Sequence, residues 1–351
     1  MSACSLTLYC TPVPKNWTGY TGFKDNQFIP LRDFSRRSQE QTQLFIETFS
    51  DGLAQVSWHY ACVTTPSAAH ATPDELQWLG KIHRTGNIAN FLPLMIAARK
   101  RRAEQSLQNA DYIELLKALE HYAYRVFLFE GRRSNAGISR FNNWGHDVFH
   151  GTGNIDPIIA AVYGMARYYA PDNSFEVWSE TPDNWYYHRS LLKYTLYEYE
   201  IHLLEVEGKG NAAQLSWQDL KDSTIEHILP QTPGENSYWT EQWTQEERGI
   251  FLDDIGNLVL THNNSNYLNF DFQRKKGNAG LGHCYANSDI RQERKLAQHS
   301  DWSAKECAER RSVLVNWINT RWGTPAFQYI QPLDIVEEAD EDGIEQISEI
   351  N

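Results

Sequence analysis

No stretch of this sequence is apolar for long enough to cross a bilayer. A span needs roughly 18 to 20 consecutive apolar residues, and none of the 351 residues belongs to such a run. The N-terminus also lacks the basic-then-apolar layout of a secretory signal. A soluble, cytoplasmic chain without membrane association is the expectation. Cysteine is scarce: the five present (Cys4, Cys10, Cys62, Cys284, Cys307) are odd in number and form no C-x-x-C pair. That argues against a disulfide framework, a zinc knuckle and a dithiol redox centre, and reduced thiols are expected. Neither a GxxxxGK[ST] phosphate loop nor an internal repeat occurs, which excludes P-loop nucleotide hydrolysis and a solenoid.

Positive charge is lacking as well. The chain holds 32 Lys and Arg against 45 Asp and Glu, a net charge of −13, so any contact with a polyanion has to be local. The deficit is uneven: eight acids and no base fall between Asp334 and Asn351, which leaves the remainder at −5. This tail, from residue 326 to 351, reads as a solvated, disordered extension. Basic residues cluster at Arg99 to Arg102, at Arg132, Arg133 and Arg140, at Arg274 to Lys276, and at Arg291 to Lys295.

What is present in abundance is aromatic and apolar material. Twelve Trp, 18 Tyr, 15 Phe and a hydrophobic content of 41% supply a substantial core. Residues 1–80 show no clean period and read as an irregular region of short elements and loops. Beyond them Leu115, Leu119, Tyr122, Val126 and Phe129 recur at steps of three and four, predicting a helix from about Asp111 to Glu130 that Gly131 ends. A second helix is predicted from about Tyr186 to Val206, stopped at Gly208-Lys209-Gly210. Residues 81–209 therefore read as a helical bundle. Past residue 210 the period changes: `TIEHIL` and `IGNLVLT` look like strands. Helix returns behind a capping box at Ser303 and Glu306. The fold class that follows is mainly α with a small α+β part, the latter spanning residues 210–325.

Chemistry concentrates in that second part. `STIEHILPQ` sets Glu226 beside His227 in a short apolar run ended by Pro230. Histidine suits proton abstraction from water near neutral pH, and an adjacent carboxylate can hold a cation that offsets charge on a phosphate. Ser223-x-x-Glu226 also fits a helix capping box, but Pro230 would interrupt such a helix soon after its start. About thirty residues on, `IGNLVLTHNNSNYLNFDFQRKKG` passes from a strand-like run to an Asn-dense stretch and then to basic residues. Asn263, Asn264, Asn266 and Asn269 offer neutral oxygens that suit a hard cation such as Mg²⁺, although Asn clusters also make turns and caps. A helix starting near Asn264 would place Asn266 and Asn269 on one face. His146 and His150 in `GHDVFHG` have helical spacing, but the segment lacks the Glu of H-E-x-x-H.

With nine residues from Asn257 to Asn266, the set His227, Asn257 and Asn266 resembles the core of HNH (ββα-metal) nucleases. `IEHILPQ` is similar to the corresponding strand of RNA-guided CRISPR nucleases. Taken with `CYANSDIRQERKLAQHSDW` and `RRSVLVNWINTRW`, these stretches resemble the C-terminal domain of GmrSD-type, modification-dependent (type IV) restriction endonucleases, over roughly Trp217 to Trp322. The resemblance implies a helical bundle followed by an HNH domain that hydrolyses phosphodiester bonds in modified or foreign DNA with Mg²⁺ or Mn²⁺, in antiviral defence. It implies His227 as general base, Glu226 as a metal ligand and Asn257 as the residue that fixes the loop crossing the hairpin. The other metal-side residue is open: the nine-residue spacing selects Asn266, whereas the GmrSD-like pattern selects Asn264 and Asn269. Lys275, with Arg274 and Lys276, is expected on DNA phosphate. Full-length GmrSD-type enzymes resemble a fusion with a nucleotide-sensing domain bearing a DGQQR-like motif, which these residues lack. A separate nucleotide-sensing partner protein or domain is therefore expected. The alternative is a non-catalytic helical adaptor or DNA-binding module that retains a relic HNH site.

Overall fold

The computed structural model describes residues 38–180, 182, 185–209, 215–277 and 282–325. The acidic tail and the cysteines Cys4 and Cys10 lie outside them. Within the described residues the fold is mainly helical with one two-stranded antiparallel sheet, the class that the apolar periods imply.

The first helices are α1 (Gln39–Thr64), α2 (Pro73–Arg84), α3 (Leu92–Ala103) and α4 (Asn109–Tyr122). Helix α1 corrects the expectation that the region up to residue 80 is irregular. Its period is blunted because apolar residues also sit on its open side, with Leu44, Ile46 and Trp58 all at least half exposed. Helix α2 begins where the Thr72 hydroxyl accepts from the Glu75 N–H and Pro73 occupies the first turn. The helix predicted from Asp111 to Glu130 is present, but its last part, Ala123–Phe129, widens into a π-helix before Gly131 reverses the chain at φ +63°. Helices α5 (Ile138–Phe149) and α6 (Ile155–Tyr169) complete the bundle. Gly145 lets α5 lie directly on α3, since a Cβ there would come within 2.7 Å of the Pro93 carbonyl carbon. Phe91, Tyr122, Phe141 and Met165 belong to the core these helices enclose.

Next come α7 (Asp172–Glu180), α8 (Arg189–Val206), β1 (Ile225–His227), α9 (Tyr238–Gln242), α10 (Gln245–Phe251) and β2 (Leu258–Leu260). The last described helices are α11 (Phe272–Lys276), α12 (Arg291–Leu296) and α13 (Ala304–Trp322). The capping box expected at Ser303 and Glu306 closes α13 at its start. In the sheet, Ile225 pairs with Leu260, Glu226 with Val259 and His227 with Leu258. Directly opposed residues share a face, and neighbours along a strand take opposite faces. Ile225, Leu258 and Leu260 accordingly join a second core with Leu192 and Tyr194 of α8 and Leu314 and Ile318 of α13. Val259 joins a third core with Trp239, Phe272 and Trp302. Both faces of the sheet are thus buried, and the second core draws on residues either side of 210, where the period changes.

Candidate functional site

The capping-box alternative for Ser223 and Glu226 is not realised. Residues Asp222–Thr224 form a short 3-10 turn, and the chain then runs straight into β1. Because β1 is regular, Glu226 and His227 face opposite ways and meet different partners.

On one face the His227 ring, 8% exposed, places Nε2 3.0 Å from the Asp253 carboxylate. Tyr186 packs edge-on against the ring, with 4.4 Å between centroids. Burial lowers the imidazole pKa below its ordinary 6.5; Asp253 opposes the shift, while Lys275 and Arg189 reinforce it. Near neutral pH the ring is therefore uncharged, the state in which it can accept a proton. Arg189, the first residue of α8, stacks its guanidinium 3.4 Å from the centre of Tyr186, and its Nη1 is buried without a hydrogen-bond partner. Asp253, Tyr186 and Arg189 carry no signal in the sequence that links them to His227. They lie 26, 41 and 38 residues away from it, outside any recognisable spacing.

Asn257 is fully buried and fastens this arrangement. Its Oδ1 accepts from the Leu229 N–H at 2.7 Å, and its Nδ2 donates to Leu229 O at 3.0 Å and Leu252 O at 2.9 Å. One side chain therefore ties the residue two places after His227 to the residue just before Asp253. Gly256 lets the turn that follows Asp254 lie directly on α13, since a Cβ there would come within 2.6 Å of the Cys307 carbonyl oxygen.

On the opposite face Glu226 is 4% exposed and receives the Lys275 ammonium at 2.5 Å. The same ammonium donates to His227 O and Ile228 O, both at 3.0 Å. Lys275 is itself 1% exposed. This overturns the expectation that it contacts DNA phosphate: its three N–H donors are used inside the protein, beneath β1. Burial pushes the Glu226 carboxyl up to about 7, with Lys275 opposing, and lowers the Lys275 pKa. Nearby Glu293 is likewise pushed up to about 7 by burial.

The Asn-rich segment forms a 3-10 turn, Asn264–Asn266, instead of starting a helix. Asn264 donates to Ile225 O at 3.3 Å, beside β1, and Asn266 is half-buried in the same turn. Leu268 then takes a left-handed conformation, φ +44°, and Asn269 is exposed and donates to Thr232 O at 2.7 Å. Asn266 and Asn269 therefore do not share a helix face, contrary to expectation. Helix α11 starts later, capped by Asp271. Its Arg274 is exposed over the Phe270 ring, and Lys276 is half-buried and donates to His299 O at 2.7 Å.

Among the described residues no three His, Cys, Asp or Glu side chains gather to hold a metal ion, and His146 bonds to its neighbour Asp147. A hard cation of the Mg²⁺ kind needs one or two protein oxygens and completes its shell with water and phosphate. The carboxylate nearest the Asn264–Asn266 turn on β1, Glu226, is already paired with the Lys275 ammonium and lies on the face opposite His227. Such an ion would compete with the Lys275 ammonium for Glu226. No described helix is long and apolar enough to cross a membrane.

Residues 169–317 match the family described as GmrSD restriction endonucleases, C-terminal domain. The match begins at the end of α6 and takes in α7 and α8 along with the sheet. That family is one of restriction endonucleases, so the match suggests a nuclease function for this segment. No curated protein and no solved structure matches the chain. Over residues 169–317, less than half of its length, the chain is thus similar to the C-terminal domain of the GmrSD restriction endonucleases.

Proposed function

We propose that the chain is a metal-dependent HNH endonuclease that hydrolyses phosphodiester bonds in modified or foreign DNA, with His227 as its general base. The observation that carries this reading is the placement of His227 on β1, with Nε2 3.0 Å from the Asp253 carboxylate and the following residues fastened by Asn257; burial, which lowers the imidazole pKa, supports it. His227 takes one proton from the attacking water as the new P–O bond forms. The bond to the leaving nucleotide oxygen breaks, and that oxygen takes a proton from solvent. A positioned base contributes roughly 10²- to 10⁴-fold. A divalent cation would offset charge on the phosphate; Glu226, on the face of β1 opposite His227 and paired with Lys275, could share that site only if β1 twisted and the ion pair opened. Arg274 and Lys276 supply local positive charge on the outside of α11. Recognition of the modification falls to a nucleotide-sensing partner protein or domain in a cytoplasmic defence system, with the helices before residue 169 presenting the nuclease part.

One observation favours the alternative, a non-catalytic DNA-binding or adaptor module: Glu226 is already neutralised by Lys275. Supercoiled plasmid with and without Mg²⁺ or Mn²⁺ separates the two readings. Nicking or linearisation by the wild-type chain, abolished by His227→Ala without loss of fold or DNA binding, supports the enzyme. Cleavage by His227→Ala at the wild-type rate overturns the assignment of His227, and no cleavage with any metal or partner protein supports the adaptor.

A further inference from the structure

We propose that Asp253 is the positioning residue for His227: its carboxylate accepts from Nε2–H and so fixes the ring tautomer in which Nδ1 carries the lone pair. The inference rests on the reading of His227 as base and adds which nitrogen acts and what holds it. A neutral imidazole has one N–H donor and one acceptor nitrogen, whereas a carboxylate can only accept. With Nε2 3.0 Å from Asp253 Oδ1, the hydrogen bond exists only when the proton is on Nε2. Nδ1 is then the nitrogen left to take the proton of water. Once it does, the ring becomes a cation, and the neighbouring carboxylate stabilises that charge.

The surroundings of Asp253 are built for placement. Its own carbonyl accepts from the Tyr186 N–H at 3.0 Å, and Tyr186 presents its ring edge to His227. One residue before it, Leu252 O is held by Asn257. One residue after it, the fully buried Asp254 accepts from the Gly256 N–H at 2.8 Å and from Arg311 at 3.1 Å. The carboxylate thus sits on a segment pinned on both sides, while its side chain keeps 15% exposure. Asp253 can therefore be changed with little disturbance of the core.

The test compares Asp253→Ala, Asp253→Asn and Asp253→Glu with wild type in the full chain, under saturating metal and whatever partner wild-type cleavage requires. Asp253→Ala should lower kcat by roughly 10- to 10³-fold, bounded above by the loss of the base itself, with KM and DNA affinity within threefold of wild type. Asp253→Glu, which keeps an acceptor, should recover part of the rate. An independent readout is the His227 ring by long-range ¹H–¹⁵N correlation, assigned by subtraction of His227→Ala. Wild type should show the Nε2–H tautomer, and Asp253→Ala a mixture. An unchanged tautomer with kcat within threefold of wild type would overturn the proposal. So would restoration of Asp253→Ala by raised Mg²⁺ or by Mn²⁺, because that identifies Asp253 as a metal ligand. Failure of the underlying reading is distinguishable: there His227→Ala itself cleaves, whereas failure of this inference alone leaves His227→Ala inactive.

Discussion

Replacing Lys275 by Met tests whether the ammonium beneath β1 is a structural strut or a surface contact for DNA. The substitution keeps length and apolar bulk but removes the charge and three hydrogen bonds, to Glu226, His227 O and Ile228 O. Breaking a buried ion pair from one side costs about 3–5 kcal/mol when the stranded partner stays charged. Glu226 can escape part of that cost by taking up a proton. Its folded-state pKa, already raised above the ordinary 4.5 to about 7, rises further without Lys275. A carboxyl raised in this way favours the folded state fully below its ordinary value, and that contribution is lost as pH rises through the folded value. The defect should therefore be largest above pH 7. Near pH 5.5 Glu226 is protonated in both proteins, and what remains is the two unsatisfied carbonyls, about 1–3 kcal/mol each. Urea unfolding at pH 5.5 and pH 8, with chelator present, reads both values. The double variant Glu226→Gln/Lys275→Met should be more stable at pH 8 than Lys275→Met alone. A loss under about 1 kcal/mol, equal at the two pH values, would refute the strut and return Lys275 to the surface.

Asn257→Ala should lower stability by about 3 kcal/mol, since it strands three buried backbone groups; scanning calorimetry measures this, and the cleavage rate should fall with it. Removing both Arg274 and Lys276 by Ala should weaken DNA binding without changing sequence preference and make the log–log salt slope shallower by about 2; an unchanged slope assigns them to an ordinary solvated face. Chelation should abolish cleavage while leaving the circular dichroism spectrum intact. Of Asn266→Ala and Asn269→Ala, the variant that raises the Mg²⁺ needed for half-maximal cleavage identifies the metal-side amide, and no shift in either removes both from the site.

The parts of the fold written in local periodicity were legible. Helices α4 and α8, the two strands and the capped start of α13 follow from steps of three and four, β-rich runs and a Ser-x-x-Glu box. Helix α1 was not, because apolar residues on its open face erase the period. The chain around His227 was legible as a motif, but its partners were not. Asp253 reaches the imidazole only after β1 and β2 pair and Asn257 closes the loop, and no sequence spacing encodes that. Lys275 was misread for a related reason. Its basic neighbours suggest a charged surface, but a five-residue helix turns one of three consecutive bases inward. Which one is set by tertiary packing against Trp239 and Glu226. The Asn-rich stretch looked like a helix start, but the left-handed turn at Leu268 separates its two halves.

Tyr186 reaches across to the loop that carries Asp253, and the first turns of α8 supply Leu191 and Leu192 to the core behind β1. The recognisable nuclease motif is therefore smaller than the unit that folds around it. A fragment starting at residue 215 would retain every residue of the proposed HNH pattern and yet lay bare the apolar side of the sheet, free one edge of the His227 ring and release the backbone anchor of Asp253. For expression, grafting or comparison with other nucleases, the minimal unit begins before α8, where residues with no chemistry of their own determine whether the histidine downstream is held in place.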